Sequence, residues 1–282
     1  KLLVINEKQT RAAFIVFCLW TFVLLCRPQD LFPFLYPLRP ALVTSALTLA
    51  IVILNHKYLP GPKLLHSRQM KKYLLLYAIM IFGIPFSLYA RLSFELVITE
   101  YIVTVLFVCI FFKLINSIER LNKVLLVVCL GSGLYFLYAL REFAPGMGRL
   151  AYGDMFDPND LAFFALGFLP INLLFFSKDY SLWVRFACLG CFSSGLLLIL
   201  FTGSRGGFIG LCVSILVLLF CTSKSLNRTL KACFIVSCIV VLSFTAIDTE
   251  RYRTIFSLEQ DYNVQDETGR LGIWKIGLRS LL

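Results

Sequence analysis

The sequence predicts an all-α, polytopic integral membrane helical bundle, and three observations predict it. The 282 residues are 59% hydrophobic and only 15% charged, with a mean hydropathy of +0.82. A soluble domain has too little interior to hide that much apolar surface. The apolar residues fall in continuous runs rather than alternating, so helices, not a closed barrel, satisfy the backbone in lipid. The basic residues are also shared unequally between alternate loops, as membrane topology requires.

Nine runs approach the ~20 residues that cross a bilayer. They lie at about 12–26, 38–54, 73–90, 96–112, 124–142, 160–176, 182–201, 207–222 and 231–247. The expected organisation is a transmembrane bundle over 1–247, then the start of a large outer loop over 248–282. With a cytoplasmic N-terminus, every inner loop is basic. That side collects Lys1, Lys8, Arg11 and the cluster from Lys57 to Lys72, among others, against only Glu7, Glu119 and Asp179. The formal charge of +11 is therefore a topology signal, which sets nucleic-acid binding aside. Among the lysines only Lys275 falls outside, whereas the other outer cations are arginines: Arg27, Arg39, Arg91, Arg141, Arg149, Arg205, Arg251, Arg253, Arg270 and Arg279. A guanidinium grips phosphate or carboxylate through two parallel donors and stays charged. An arginine-rich outer face thus points to an anionic ligand there, or to pairing with the outer acids.

The 10 cysteines sit in or at the ends of apolar runs and read as small buried hydrophobes. Cys188 and Cys191 form a CxxC inside an expected span, with no second ligand pair to make a metal site. The only histidines, His56 and His66, fall on the inner side with no third ligand nearby. No metal or cofactor is expected.

In chain order, the first outer loop is RPQDLFPFLYPLRP, 27–40. Its four prolines prevent a regular helix, and Phe32, Phe34 and Tyr36 suit the headgroup level. Arg91 and Glu95 are spaced to pair on a helix. Glu100 lies deeper in the fourth span, where an acid is a functional candidate. The loop 143–160, FAPGMGRLAYGDMFDPND, spaces Asp154, Asp157 and Asp160 by three. That admits a cation site, but PND before an apolar run signals a helix start, with Asn159 or Asp160 as the expected cap. Arg149 in this loop is available to a ligand.

The stretch FTGSRGG, 201–207, lies between two apolar runs. Arg205 is a permanent cation flanked by hydrocarbon-seeking sequence, so it belongs at an interface or in a polar cavity. Gly203, Gly206 and Gly207 permit a sharp turn and expose N–H groups, which beside a guanidinium suit a phosphate. A plain tight turn with one interfacial arginine is the competing reading. Beyond the ninth run, Leu271, Trp274, Leu278 and Leu281 line one face of a short helix that lies on the outer surface, too short to span. Arg270 precedes it.

TGSRGG between two spans, DPND opening an earlier span and the outer segment ETGRLGIW, 267–274, together resemble the O-antigen ligase and O-antigen polymerase superfamily. RPQDLFPFLYPLRP resembles the exosortase-associated O-glycosylation ligase subgroup. The resemblance implies a GT-C-like fold and metal-independent glycosyl transfer outside the bacterial cytoplasmic membrane, in O-antigen, lipopolysaccharide or related surface polysaccharide biosynthesis. The implied donor is a glycan on a polyprenyl pyrophosphate such as undecaprenyl pyrophosphate. The acceptor is a lipid A core, another glycan or a protein hydroxyl, and membrane lipid surrounds the enzyme. By the same resemblance Arg205 and Arg270 are the catalytic pair that clamps the pyrophosphate; beside them Gly203, Ser204, Gly206, Arg149 and Asp157 are expected to bind substrate. The family's proposed base is a histidine later in the outer loop. No outer histidine occurs here, so the sequence is expected to be a fragment of a longer chain and inactive by itself. A transporter or flippase of lipid-linked glycans is the competing class. It calls for a deep polar path and internal repeats, and apart from Glu100 neither is visible.

Overall fold

A computed structural model describes residues 2–58, 64–144, 149–153, 157–177, 179–221 and 270–279. It divides into two compact units, Lys1–Gly131 and Ser132–Leu282. The helices are α1 (Leu2–Cys26), α2 (Pro28–Leu31), α3 (Pro40–Leu54), α4 (Arg68–Gly83), α5 (Ala90–Phe94), α6 (Tyr101–Leu114), α7 (Ile118–Arg141), α8 (Pro158–Asn172), α9 (Leu182–Phe201), α10 (Arg205–Cys221) and α11 (Arg270–Arg279). Most of the expected runs within the described residues lie largely on helix, but the run at 73–90 is broken at Ile84–Tyr89, and the span expected at 231–247 lies outside the described residues.

Among the described residues, four helical stretches are long and apolar enough to cross a membrane: Ala90–Leu114, Ile118–Arg141, Pro158–Phe176 and Leu182–Phe201. Thr10–Cys26 and Pro40–Leu54 are shorter apolar helices. Length and composition thus make this a helical, multi-pass membrane protein. The run expected at 73–90 is displaced. Ser67 caps α4 through the Met70 N–H, and a 3-10 turn with Pro85 follows at Ile84–Phe86. Proline removes a helical donor and disfavours α geometry in the residue before it. The stretch through Glu95–Glu100 is π-helical. Arg91 and Glu95, although spaced to pair, form no ion pair among the described residues, and Glu100 is exposed.

The first unit is built on aromatic packing. Phe17 and Trp20 of α1 each stand 5.0 Å from the Phe107 ring of α6, in a core shared with Ala13, Ile110 and Leu114. Between α1 and α3 the prolines act differently from the expectation. They do not abolish helix; they start it. Pro28 and Pro40 open α2 and α3, where the missing N–H costs nothing. The preceding Arg27 and Arg39 are left-handed, at φ 46° and 42°. Arg27 pairs with Asp30 at 2.6 and 3.2 Å, so ion pairing is its observed role.

In the second unit, small residues let helices approach closely, as in other membrane bundles. A Cβ at Gly133 of α7 would overlap the Cys191 side chain of α9, and one at Gly195 of α9 would sit 3.1 Å from Leu169 and Phe136. On α10, a Cβ at Gly207 would come 2.7 Å from the Ala162 Cβ of α8, and one at Gly210 2.5 Å from Leu166. Tyr135, Phe136, Leu161, Leu169, Phe192 and Ile199 fill the core between them. Cys188 and Cys191 are free and buried, packed as small hydrophobes.

Candidate functional site

The turn between α9 and α10 is only Thr202, Gly203 and Ser204. Such a turn must satisfy the last carbonyls of one helix and the first N–H groups of the next. Here the carbonyls are accounted for in sequence. Thr202 N–H donates to Leu198 O at 3.0 Å and Gly203 N–H to Leu200 O at 3.0 Å. The Thr202 hydroxyl donates to Ile199 O at 2.6 Å. The next two carbonyls are met by the loop before α8: Leu150 N–H donates to Phe201 O at 3.0 Å, and Arg149 Nε donates to Thr202 O at 3.0 Å. Phe143 stacks on Phe201 with ring centroids 4.3 Å apart, fixing that loop further.

Each residue of TGSRGG can now be given a reason. Thr202 ends α9. Gly203 is left-handed at φ 57°, the conformation that glycine supplies after a helix without steric penalty. Ser204 caps α10, its Oγ accepting the Gly207 N–H at 3.2 Å. Gly207 is the close contact with Ala162. Arg205 and Gly206 fill the first two helical positions of α10. Gly206 is exposed, with nothing within 4 Å of where a Cβ would be. Arg205 is half-buried.

A second strand of the site comes from the start of α8. Its cap is Asp157, which accepts the N–H groups of Asn159 and Asp160 at 2.7 and 2.8 Å. This corrects the sequence expectation of Asn159 or Asp160 as the cap. Pro158 occupies the first helical position, so the cap must lie one residue before it. The backbone bond to Asp160 is the largest influence holding the Asp157 carboxyl below its usual range, with smaller help from Asn159 and Arg149 against the opposing effect of burial. Asp157 is therefore ionised and engaged in capping. Asp154, the third acid of the spaced set, lies outside the described residues. Among the described residues no cluster of three or more His, Cys, Asp or Glu is placed to hold a metal.

Asn159 is the residue that sequence reasoning missed as a site member. Its side-chain oxygen accepts Arg149 Nη2 at 2.8 Å and the Ser204 hydroxyl at 3.1 Å. Of the expected set, Arg149 and Ser204 are thus brought into one network with Thr202 and Asn159, and Gly203 lies in the turn between Thr202 and Ser204. Arg205 and Gly206 follow immediately on α10, and Asp157 supports the network from beneath through its cap. Arg270 opens α11, but its side chain lies outside the described residues, as do Arg251 and Arg253. On α11 the apolar side chains Ile273, Trp274, Ile276 and Leu278 are all exposed. Its ten residues span about 15 Å, too short to cross a bilayer. Glu100 belongs to the other compact unit.

What this arrangement can do is hold an anion. The Arg149 guanidinium is held at the turn by Thr202 O and Asn159, and Arg205 stands one residue beyond the turn, at the start of a helix whose dipole favours negative charge. No curated protein and no solved structure matches the chain. A family model described as O-Antigen ligase matches residues 187–282, from within α9 through the Thr202–Ser204 turn and α10 to α11. The turn with Arg205 therefore lies inside the matched region, and this part of the chain is similar to the O-antigen ligase family.

Proposed function

We propose that this protein is a metal-independent membrane glycosyltransferase of surface polysaccharide biosynthesis. It moves a glycan from a polyprenyl pyrophosphate to a lipid A core, glycan or protein acceptor on the periplasmic side of the bacterial inner membrane. The observation that carries this reading is the α9–α10 turn. It falls within the O-antigen ligase match, with Arg205 at the first position of α10. An arginine at a helix start beside this turn is a candidate for contact with an anionic substrate group.

The chemistry fits that placement. Breaking the bond between the anomeric carbon and the donor phosphate leaves charge on the pyrophosphate. Preorganised cations stabilise such developing charge more than water does. Arg205, with Arg270 from α11, is assigned to the departing pyrophosphate, and Arg149 to its binding. Gly203, Ser204 and Gly206 let the backbone approach the phosphate. The N-terminus is assigned to the cytoplasm from the charge bias of the loops. On a nine-span, GT-C-like reading of the chain, the turn is assigned to the outer face.

The test is Arg205→Lys in the intact protein, produced in a strain lacking the native copy. A lysine retains the charge but loses the two-pronged contact. Glycan transfer to the acceptor is expected to fall by about a hundredfold, as when one oxyanion donor is removed from an enzyme. Parental transfer, with the variant inserted at parental level, would refute the assignment.

A further inference from the structure

The membrane-capable stretch Ala90–Leu114 is enclosed in one half and open in the other. In its C-terminal half Val105, Ile110 and Leu114 are buried, the last two in the core built on Phe17 and Trp20. Its N-terminal half leaves Leu92, Glu95, Leu96, Thr99, Glu100 and Thr104 exposed. Of the four membrane-capable stretches it is the least buried. The backbone gathers the polar members of this set. From Glu95 to Glu100 the helix is π-helical, with hydrogen bonds that close on the fifth residue, so Glu100 stands nearly above Glu95 instead of round the side of the helix. Regular α-helix resumes at Tyr101, and Thr104, four residues after Glu100, returns to the same face. The wide turn is held from α4, where the Tyr77 hydroxyl donates to Val97 O at 3.3 Å, and from within, where the Thr99 hydroxyl donates to Glu95 O.

Neither carboxylate forms an ion pair among the described residues, Arg91 included. The 25 residues of the stretch span about 37 Å against about 30 Å of hydrocarbon, which sets Glu100 on the order of 10 Å inside the apolar layer. Acids at such depth turn inward or pair, yet this one faces outward. We propose that the open face of Ala90–Leu114 docks a transmembrane helix of another membrane protein, one that carries a lysine or arginine at the depth of Glu100. Polar side chains join helices where the alternative is hydrocarbon, and a cation is the charge complement of Glu95 and Glu100. A second copy of this chain fits worse, because two-fold symmetry about the membrane normal sets Glu100 against Glu100, and like charges so placed repel. Lipid tails offer the carboxylates no donor at all.

The experiment uses the intact protein, labelled at its N-terminus and reconstituted in vesicles of phosphatidylethanolamine and phosphatidylglycerol. The probe is a labelled leucine-rich transmembrane peptide with either lysine or leucine at its centre, and association is read by energy transfer. The lysine peptide is expected to associate about fivefold more strongly than the leucine peptide, and Glu100→Gln to remove that preference. Equal association of the two peptides with the parent overturns the proposal, and so does a lysine preference that survives when Glu95→Gln and Glu100→Gln are combined. Leu96→Trp keeps both carboxylates and fills the face between them. It is expected to weaken the lysine peptide by a similar factor, and if the glutamine variants do not insert, parental association in Leu96→Trp overturns the proposal. Energy transfer between two labelled copies of the protein that Glu100→Gln abolishes also overturns it, in favour of a second copy as the occupant.

Discussion

Arg120 and Arg149 meet the carbonyl end of a helix in the same way and are used differently. Arg120, in the first unit, donates to Leu114 O at the end of α6 at 3.0 Å and to the Thr10 hydroxyl at 2.9 Å, and it lies 5.1 Å from the Phe14 ring centroid. It is only 5% exposed. Arg149, in the second unit, donates to Thr202 O at the end of α9 and to Asn159, but it is half-buried. A guanidinium carries five donors in a fixed fork. In the first unit the fork closes α1, α6 and α7 around it. In the second, the guanidinium is bound to Thr202 O and Asn159 while the residue keeps part of its surface accessible. Guanidinium chemistry alone does not distinguish a structural arginine from one that can meet a ligand; enclosure does.

The strongest way to break this comparison is to delete each arginine in turn. Arg120→Ala strands two buried acceptors and opens a cavity, and is expected to cost about 3 kcal/mol of stability. It should be read as a large fall in Tm and in the amount inserted. Arg149→Ala is expected to cost only about 1 kcal/mol while donor KM rises by at least about tenfold. If both variants lose stability equally, enclosure is not what separates them.

A smaller effect sharpens the second unit internally. Gly207→Ala places a methyl against the rigid Ala162 Cβ at 2.7 Å, and overpacking of this kind costs about 1–3 kcal/mol. Gly206→Ala meets nothing within 4 Å and gains helix propensity, up to about 1 kcal/mol. Thermal unfolding should therefore move in opposite directions for adjacent glycines. A simultaneous loss of transfer in Gly206→Ala, with Tm raised, marks Gly206 as a point of backbone approach to the donor.

The smallest expected effect is at Asp157. Replacing a capping aspartate by alanine costs about 1 kcal/mol. Because the folded carboxyl titrates below its unfolded value, its contribution is complete above the ordinary aspartate range, near pH ~4. It is lost as pH falls through the lower, folded value. The Tm difference between the parent and Asp157→Ala should hold at neutral pH and close only on strong acidification. A difference that already closes near pH ~6 contradicts the cap.

Much of this architecture could be read from residues alone. Continuous apolar runs placed the helices, because in lipid a backbone has no other local way to satisfy itself. TGSRGG was legible as a turn with an arginine beside it, because glycine and serine have conformational roles that do not depend on distant residues. DPND announced a helix start but not its cap, since three oxygen-bearing side chains competed and only the position of Pro158 decided among them. The proline-rich loop misled for a related reason: proline ends a helix from within but begins one at its first position.

What the sequence by itself determined was the class of the protein, its helices, and a local turn presenting Arg205. Each follows from properties carried within a few neighbouring residues. Only the tertiary structure decided that Arg149 would cap α9 across 53 positions of chain, and that Asn159 would reach Ser204 across 45. It also decided that Gly207 would be a contact while Gly206 stays open. Those depend on which helix faces touch, and a side chain's neighbours across a packed interface are not written in its neighbours along the chain.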